Sequence, residues 1–145
     1  MANIVIIGAG LGGVIAAYEI KDQLSNGDKI TVVNKGRTYH FVPSNPWVAV
    51  KWRTRDAIEV DLTHVFKKRG IELEDGGAKR VHPENNQVEL EDGRMLDYDY
   101  LVIATGPDLA FDEIEGFGPH GNTQSVCHVD HAIQASEAFE EFCKD

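Results

Sequence analysis

Apolar residues in this chain fall into dense short runs and into sparser helical spacings. Residues 3–7 (NIVII) are a β-branched run followed at once by glycine, the pattern of a strand buried on both faces. From there Leu11, Val14, Ile15, Tyr18, Ile20 and Leu24 recur at helical spacing and predict a helix with that side inward. Ser25-Asn26-Gly27-Asp28 reads as a turn, and Ile30-Thr31-Val32-Val33 as a second buried strand. The chain thus opens on a strand–helix–strand unit, whose crossover is expected to be right-handed.

Residues 35–58 show no regular period and carry Pro43, Pro46, Trp47 and Trp52, so a long functional loop is expected there. Asp61 is placed to cap a helix that ends at Arg69 before Gly70, and Lys67, Lys68 and Arg69 complement its negative end. A strand is predicted over 71–74. Two more, over 78–82 and 87–91, flank the turn Pro83-Glu84-Asn85-Asn86, and Asp92-Gly93 starts a further hairpin. Residues 100–104 (YLVIA) read as a buried strand closed by Thr105-Gly106-Pro107. Asp130 is predicted to cap a last helix with Ala132, Ile133, Phe139 and Phe142 on its inner side.

The first strand and helix are joined by Gly8-Ala9-Gly10-Leu11-Gly12-Gly13, which matches GxGxxG. In that placement Gly8 permits the tight turn, Gly10 lets the backbone approach a pyrophosphate, and Gly13 lets helix and strand pack closely. Leu11 and Gly12 complete the turn whose amides and helix dipole would hold the anion. A dinucleotide site usually has Asp or Glu at the end of its second strand, for the ribose hydroxyls. Here that position is Asn34, followed by Lys35 and Arg37. A neutral residue with basic neighbours permits either FAD or NADP, and Lys35 is equally readable as a ribose contact or as part of a solvated turn.

The segment VELEDGRMLDYDYLVIATGP, ending at Thr105-Gly106-Pro107, together with the opening glycines, resembles the flavoprotein reductases with two dinucleotide domains. The resemblance covers essentially the whole chain. It implies an α/β fold: a Rossmann-type three-layer FAD-binding domain with a parallel sheet and a small antiparallel β-insertion near residues 78–98. It also implies that Thr105 and Gly106 return beside the FAD and that the backbone of Ala78 meets the adenine. Phe41-Val42-Pro43-Ser44-Asn45-Pro46-Trp47 narrows it further, because this stretch resembles the sulfide:quinone oxidoreductases, with type II NADH dehydrogenases as relatives. There the matching loop, Pro43 included, passes beside the flavin ring. Phe41 and Trp47 can equally be anchors of that loop to the core. Cys127, in QSVCHVDH, matches the accessory cysteine of the three-cysteine sulfide:quinone oxidoreductases. A cationic His128 or His131 would favour its thiolate. The family's redox-active cysteine pair lies further on than these residues.

Composition adds exclusions. The 145 residues suffice for one domain, and 42% are hydrophobic, as in folded chains. A net charge of −10 argues against nucleic-acid binding. Cys127 and Cys143 form neither a CxxC nor a zinc-ligand spacing, so no metal is expected. No basic segment followed by a long apolar one opens the chain, and cytoplasmic synthesis is expected. The reading that follows is an FAD-binding N-terminal part, residues 1–145, of a longer enzyme. That enzyme would oxidise sulfide and reduce a quinone through FAD, peripheral on the membrane and attached there through sequence beyond these residues. A type II NADH dehydrogenase or related flavin reductase, and a stand-alone dinucleotide-binding module without turnover, are the alternatives.

Overall fold

The computed structural model describes residues 1–144. Its elements in chain order are β1 (Asn3–Ile7), α1 (Leu11–Gln23), β2 (Lys29–Val33), β3 (Thr38–His40), α2 (Asn45–Ala49), β4 (Glu59–Asp61), α3 (Leu62–Arg69), β5 (Glu72–Glu74), β6 (Ala78–His82), β7 (Gln87–Leu90), β8 (Met95–Asp97), β9 (Tyr100–Ile103) and α4 (Val129–Phe142). They fall into two compact units. One comprises residues 1–39 and 61–106; the other comprises residues 40–60 and 107–144.

The first unit is an α/β domain in three layers. Its central sheet is parallel, in the order β5-β2-β1-β9, with Ile4 opposite Ile30 and Ile6 opposite Val32. Side chains alternate across a strand. Ile4, Ile6, Ile30 and Val32 therefore meet Ala17 of α1 and Leu62 and Phe66 of α3 on one face. Val5, Ile7 and Val33 meet Val88 and Leu90 on the other, where β6-β7-β8 forms an antiparallel sheet. Both faces are covered, which explains why β1 reads as an unbroken apolar run. Burying side chains such as Leu62 and Phe66 contributes about 1.5–3 kcal/mol each.

Local signals set α3 as expected. Asp61 accepts from the Thr63 N–H at 2.7 Å, and Gly70 adopts the left-handed conformation (φ 63°) that ends the helix. The inward face of α1 differs from the expected one. Its buried residues are Gly13 and Ala17, whereas Leu11 and Ile15 are 47% and 53% exposed. A helix held this close to its strand needs small residues at the contact, so Leu11 and Ile15 are displaced outward, while Val14, Tyr18, Ile20 and Leu24 pack half-buried against the core on the expected side. The strand β9 also differs: Tyr100 and Ile103 are 66% and 64% exposed, because β9 is the edge of the sheet.

In the second unit, residues 35–58 are less irregular than their sequence suggests. Val42–Ser44 forms a single 3-10 turn running into α2, with a proline in the first turn of each. Val48 and Ile58 pack against Val129 and Ala132 of α4. That helix is capped at His128, not Asp130, and Asp130 pairs instead with Arg55. Phe139 and Phe142 are exposed at 66% and 78%, and the buried stripe is Val129, Ala132 and Ser136.

The α1 contact has a direct test. A Cβ on Gly13 would lie 1.9 Å from the Gly8 carbonyl oxygen, whereas one on Gly12 meets nothing within 4 Å. Gly13→Ala is expected to cost at least about 1–3 kcal/mol in urea unfolding, and Gly12→Ala to be neutral or slightly stabilising.

Candidate functional site

The glycine turn sits at the carboxyl end of β1, with β2 and β9 on either side. Gly8 has φ +99° and donates its N–H to the Val33 carbonyl at 2.8 Å; a Cβ there would lie 2.3 Å from the Ala104 oxygen. Gly8 and Gly13 are therefore required by the fold itself. Gly10 and Gly12 are different. Gly10 is extended (φ −73°, ψ −170°), and a Cβ on either would meet nothing within 4 Å. Neither strain nor packing explains them, so their missing side chains leave open space at the start of α1. That helix has no side-chain cap and no acidic residue in its first turn. Its unpaired N–H groups and positive dipole end are exposed to that space, an arrangement that fits a phosphate-bearing cofactor. Leu11 begins the helix, half exposed, beside this opening.

Asn34, at the end of β2, is tied into the turn. Its Oδ1 accepts from the Ala9 N–H at 3.0 Å, its Nδ2 donates to the Gly36 carbonyl at 2.9 Å, and its own N–H donates to Glu74. The amide thus braces the glycine turn against β2, a role the sequence reading did not foresee. Aspartate could accept from Ala9 but not donate to Gly36.

A cleft of about 220 Å³ opens beside these groups, lined by Gly8, Asn34, Lys35, Gly77, Ala78, Glu91 and Thr105 over a floor of Ile7 and Val33. Five expected residues (Gly8, Asn34, Lys35, Ala78 and Thr105) meet here. Gly10, Leu11, Gly12 and Gly13 occupy the adjoining helix start, and Gly106 (φ +77°) follows Thr105 with open space around it. Gly77 and Glu91 were missed. Glu91 reaches the cleft because β7 pairs with β6, Leu90 opposite Ala78, and no local sequence pattern announces that register.

Pro43 and Cys127 lie in the second unit. The segment containing Pro43 is held by its polar residues: Ser44 and Asn45 are buried, and Asn45 Nδ2 donates to the Cys127 carbonyl at 3.2 Å. Arg53 donates to Ser44 Oγ at 3.0 Å and covers the Trp47 ring at 4.1 Å. Phe41 and Trp47 are about 40% exposed, so they are not the core anchors considered from sequence. Cys127 is exposed and free. At His131 the surroundings disfavour the cationic form. Burial lowers the His131 pKa, His128 and His120 lower it further, and Asp130 opposes them only in part. Among the described residues no cluster of His, Cys, Asp or Glu is arranged to hold a metal.

The family model described as pyridine nucleotide-disulphide oxidoreductase matches residues 2–141. The chain is 34% identical to the sulfide-quinone reductase of Aquifex aeolicus over 139 residues, 96% of this chain and 31% of that protein. It is 30% identical to the mitochondrial sulfide:quinone oxidoreductase of Dictyostelium discoideum over 132 residues, 88% of this chain and 29% of that protein. The solved sulfide:quinone oxidoreductase of Aquifex aeolicus superposes with a TM-score of 0.93 at 33% identity, covering all of this chain and 33% of the other. The chain spans about a third of the length of these relatives.

Two outcomes test the local chemistry. Asn34→Ala should cost about 1–3 kcal/mol and speed hydrogen exchange at the Ala9 amide, since it strips that N–H of its acceptor. For His131, the folded pKa lies below the unfolded value of about 6.5, so the unfolded chain takes up the proton first. Stability is therefore full above that pH and falls as pH drops from about 6.5 towards the folded pKa. His131→Phe should flatten the decline in urea midpoint across that window, and an unchanged slope would refute the assignment.

Proposed function

The chain belongs to the pyridine nucleotide-disulphide oxidoreductase family, and from that premise we propose that it is the FAD-binding part of an enzyme that oxidises sulfide and reduces a quinone. The observation that carries the reading is the open, uncapped start of α1 beside a cleft at the carboxyl ends of β1 and β2. Ligands in open α/β sheets bind at that edge. The similarity to sulfide-quinone reductase spans the same residues and supports the choice of reaction.

In this reading Gly8, Gly10, Leu11, Gly12 and Gly13 form the backbone cradle for the pyrophosphate. Gly10 and Gly12 keep side chains out of its path, and Asn34 holds the cradle in register with β2. Lys35 supplies a cation on the ribose and phosphate side of the cleft. Ala78 borders the base, and Thr105 and Gly106 close the edge at the end of β9. Pro43 belongs to the rigid turn near the flavin ring, and Cys127 to the sulfur chemistry as an accessory thiol. Bound FAD would supply reversible two-electron chemistry between a sulfur donor and a quinone. The membrane is the natural place for quinone reduction, and the whole enzyme is proposed to work peripherally on it. Among the described residues no helix is long and apolar enough to cross a membrane.

The full-length protein is expected to purify with a flavin that is released as FAD on denaturation. Under anaerobic conditions sulfide should bleach its visible absorbance, and a quinone should restore it. Bleaching by NADH but not by sulfide would favour the type II NADH dehydrogenase alternative, and absence of any flavin would refute both. Gly10→Val fills the open space without backbone strain, and should lower FAD affinity about tenfold or more while leaving the fold intact.

A further inference from the structure

Among the described residues, Glu91 is the one acidic residue that lines the cleft beside α1. Resting on the nucleotide reading above, we propose that Glu91 reads the base of the bound dinucleotide, accepting a hydrogen bond from the exocyclic amine of adenine.

The strand order supplies the placement. Going outward from the glycine turn, the sheet runs β1, β2, β5, with neighbouring strands about 4.8 Å apart. A pyrophosphate at the Gly8 turn puts the ribose over the end of β2, beside Asn34 and Lys35. The base then falls one strand further out, where the chain leaves β5 through Gly76 and Gly77 and enters β6 at Ala78. Glu91 borders that position. Its N–H donates to the Gly77 carbonyl at 3.2 Å. A Cβ on Gly77 would lie 3.6 Å from Glu91 Cγ and 3.7 Å from Lys35 Cβ. Glu91 and Lys35 thus both approach Gly77, and in this proposal the cation serves the phosphates and the anion the base.

The carboxylate is also available. Glu89, two residues earlier, is held by Lys79 and His82, and Glu74 by Arg94. Glu91 has no side-chain hydrogen bond or ion pair among the described residues, although it lines the cleft. Asn34 is unsuited to the task because both ends of its amide are engaged by Ala9 and Gly36. An ionised carboxylate only accepts hydrogen bonds. At the 6-position it therefore favours the amine of adenine over the carbonyl of hypoxanthine, whose N1–H is a donor one atom away.

The test uses the full-length protein freed of flavin, titrated calorimetrically with ADP and with IDP. The wild type should bind ADP about tenfold or more tightly than IDP, the scale of one hydrogen bond to a charged group. Glu91→Gln should erase or reverse that preference, because its amide can donate to the hypoxanthine carbonyl, with an unchanged melting temperature. Equal preference in wild type and Glu91→Gln, or none in the wild type, overturns the role of Glu91 and leaves the nucleotide site standing. Failure of the wild type to bind either nucleotide overturns both.

Discussion

The contact between Gly13 of α1 and the carbonyl of Gly8 governs the geometry of the first unit. No side chain larger than hydrogen fits there, since a Cβ would sit 1.9 Å from that oxygen. The contact draws the start of α1 down onto the turn that follows β1. It thereby fixes where the unpaired amides of the first helical turn point. The same constraint sorts the rest of the helix: Ala17, one turn on, is fully buried, while Leu11 and Ile15 are pushed outward. The apolar face that a sequence pattern would put inside is thus partly given up so that backbone can approach backbone.

Around that contact, much of the site is made of main chain. The Gly8 N–H is fixed by Val33, the Ala104 N–H by the Ile7 carbonyl, and the Ala9 N–H by Asn34. These bonds tie the glycine turn to β2 and the end of β9 to β1. Asn34 matters here for what it is not: a carboxylate in its place would lose the donor to Gly36 and set a negative charge beside the helix start. The neutral amide keeps the positive end of α1 uncompensated, which suits an anionic ligand.

Elements defined by local chemistry were legible in the sequence. Asp61 and Gly70 bound α3 through a cap and a left-handed turn, and the hairpins over 78–97 follow from alternation and turn residues. The glycine turn was legible because its residues are consecutive. What escaped depends on contacts distant in sequence. The inward faces of α1 and α4 are decided by how close the neighbouring element lies, so Phe139 and Phe142 fit a helical period yet stay exposed. Glu91 enters the cleft only through the β6–β7 register, and the capping role given to Asp130 was taken by its ion pair with Arg55. The buried pair Ser44 and Asn45 was hidden behind the conspicuous Phe41 and Trp47, because burial of polar groups leaves no mark on an apolar pattern.

Taken as a single number, the net charge of −10 opposes the proposed pyrophosphate ligand as much as it opposes a nucleic acid. The two cases differ in range. A nucleic acid presents charge over a long surface and meets the whole field of the protein, so the acidic excess counts fully. A dinucleotide inserts into one place. At physiological ionic strength the screening length is about 8 Å, so most exposed carboxylates are felt only weakly there. What remains is local: the uncapped first turn of α1 with no acidic residue, and Lys35 and Glu91 of opposite charge on the cleft wall beside Gly77. Short-range donors fixed by the backbone thus decide the sign of the site, whatever the charge of the rest of the surface.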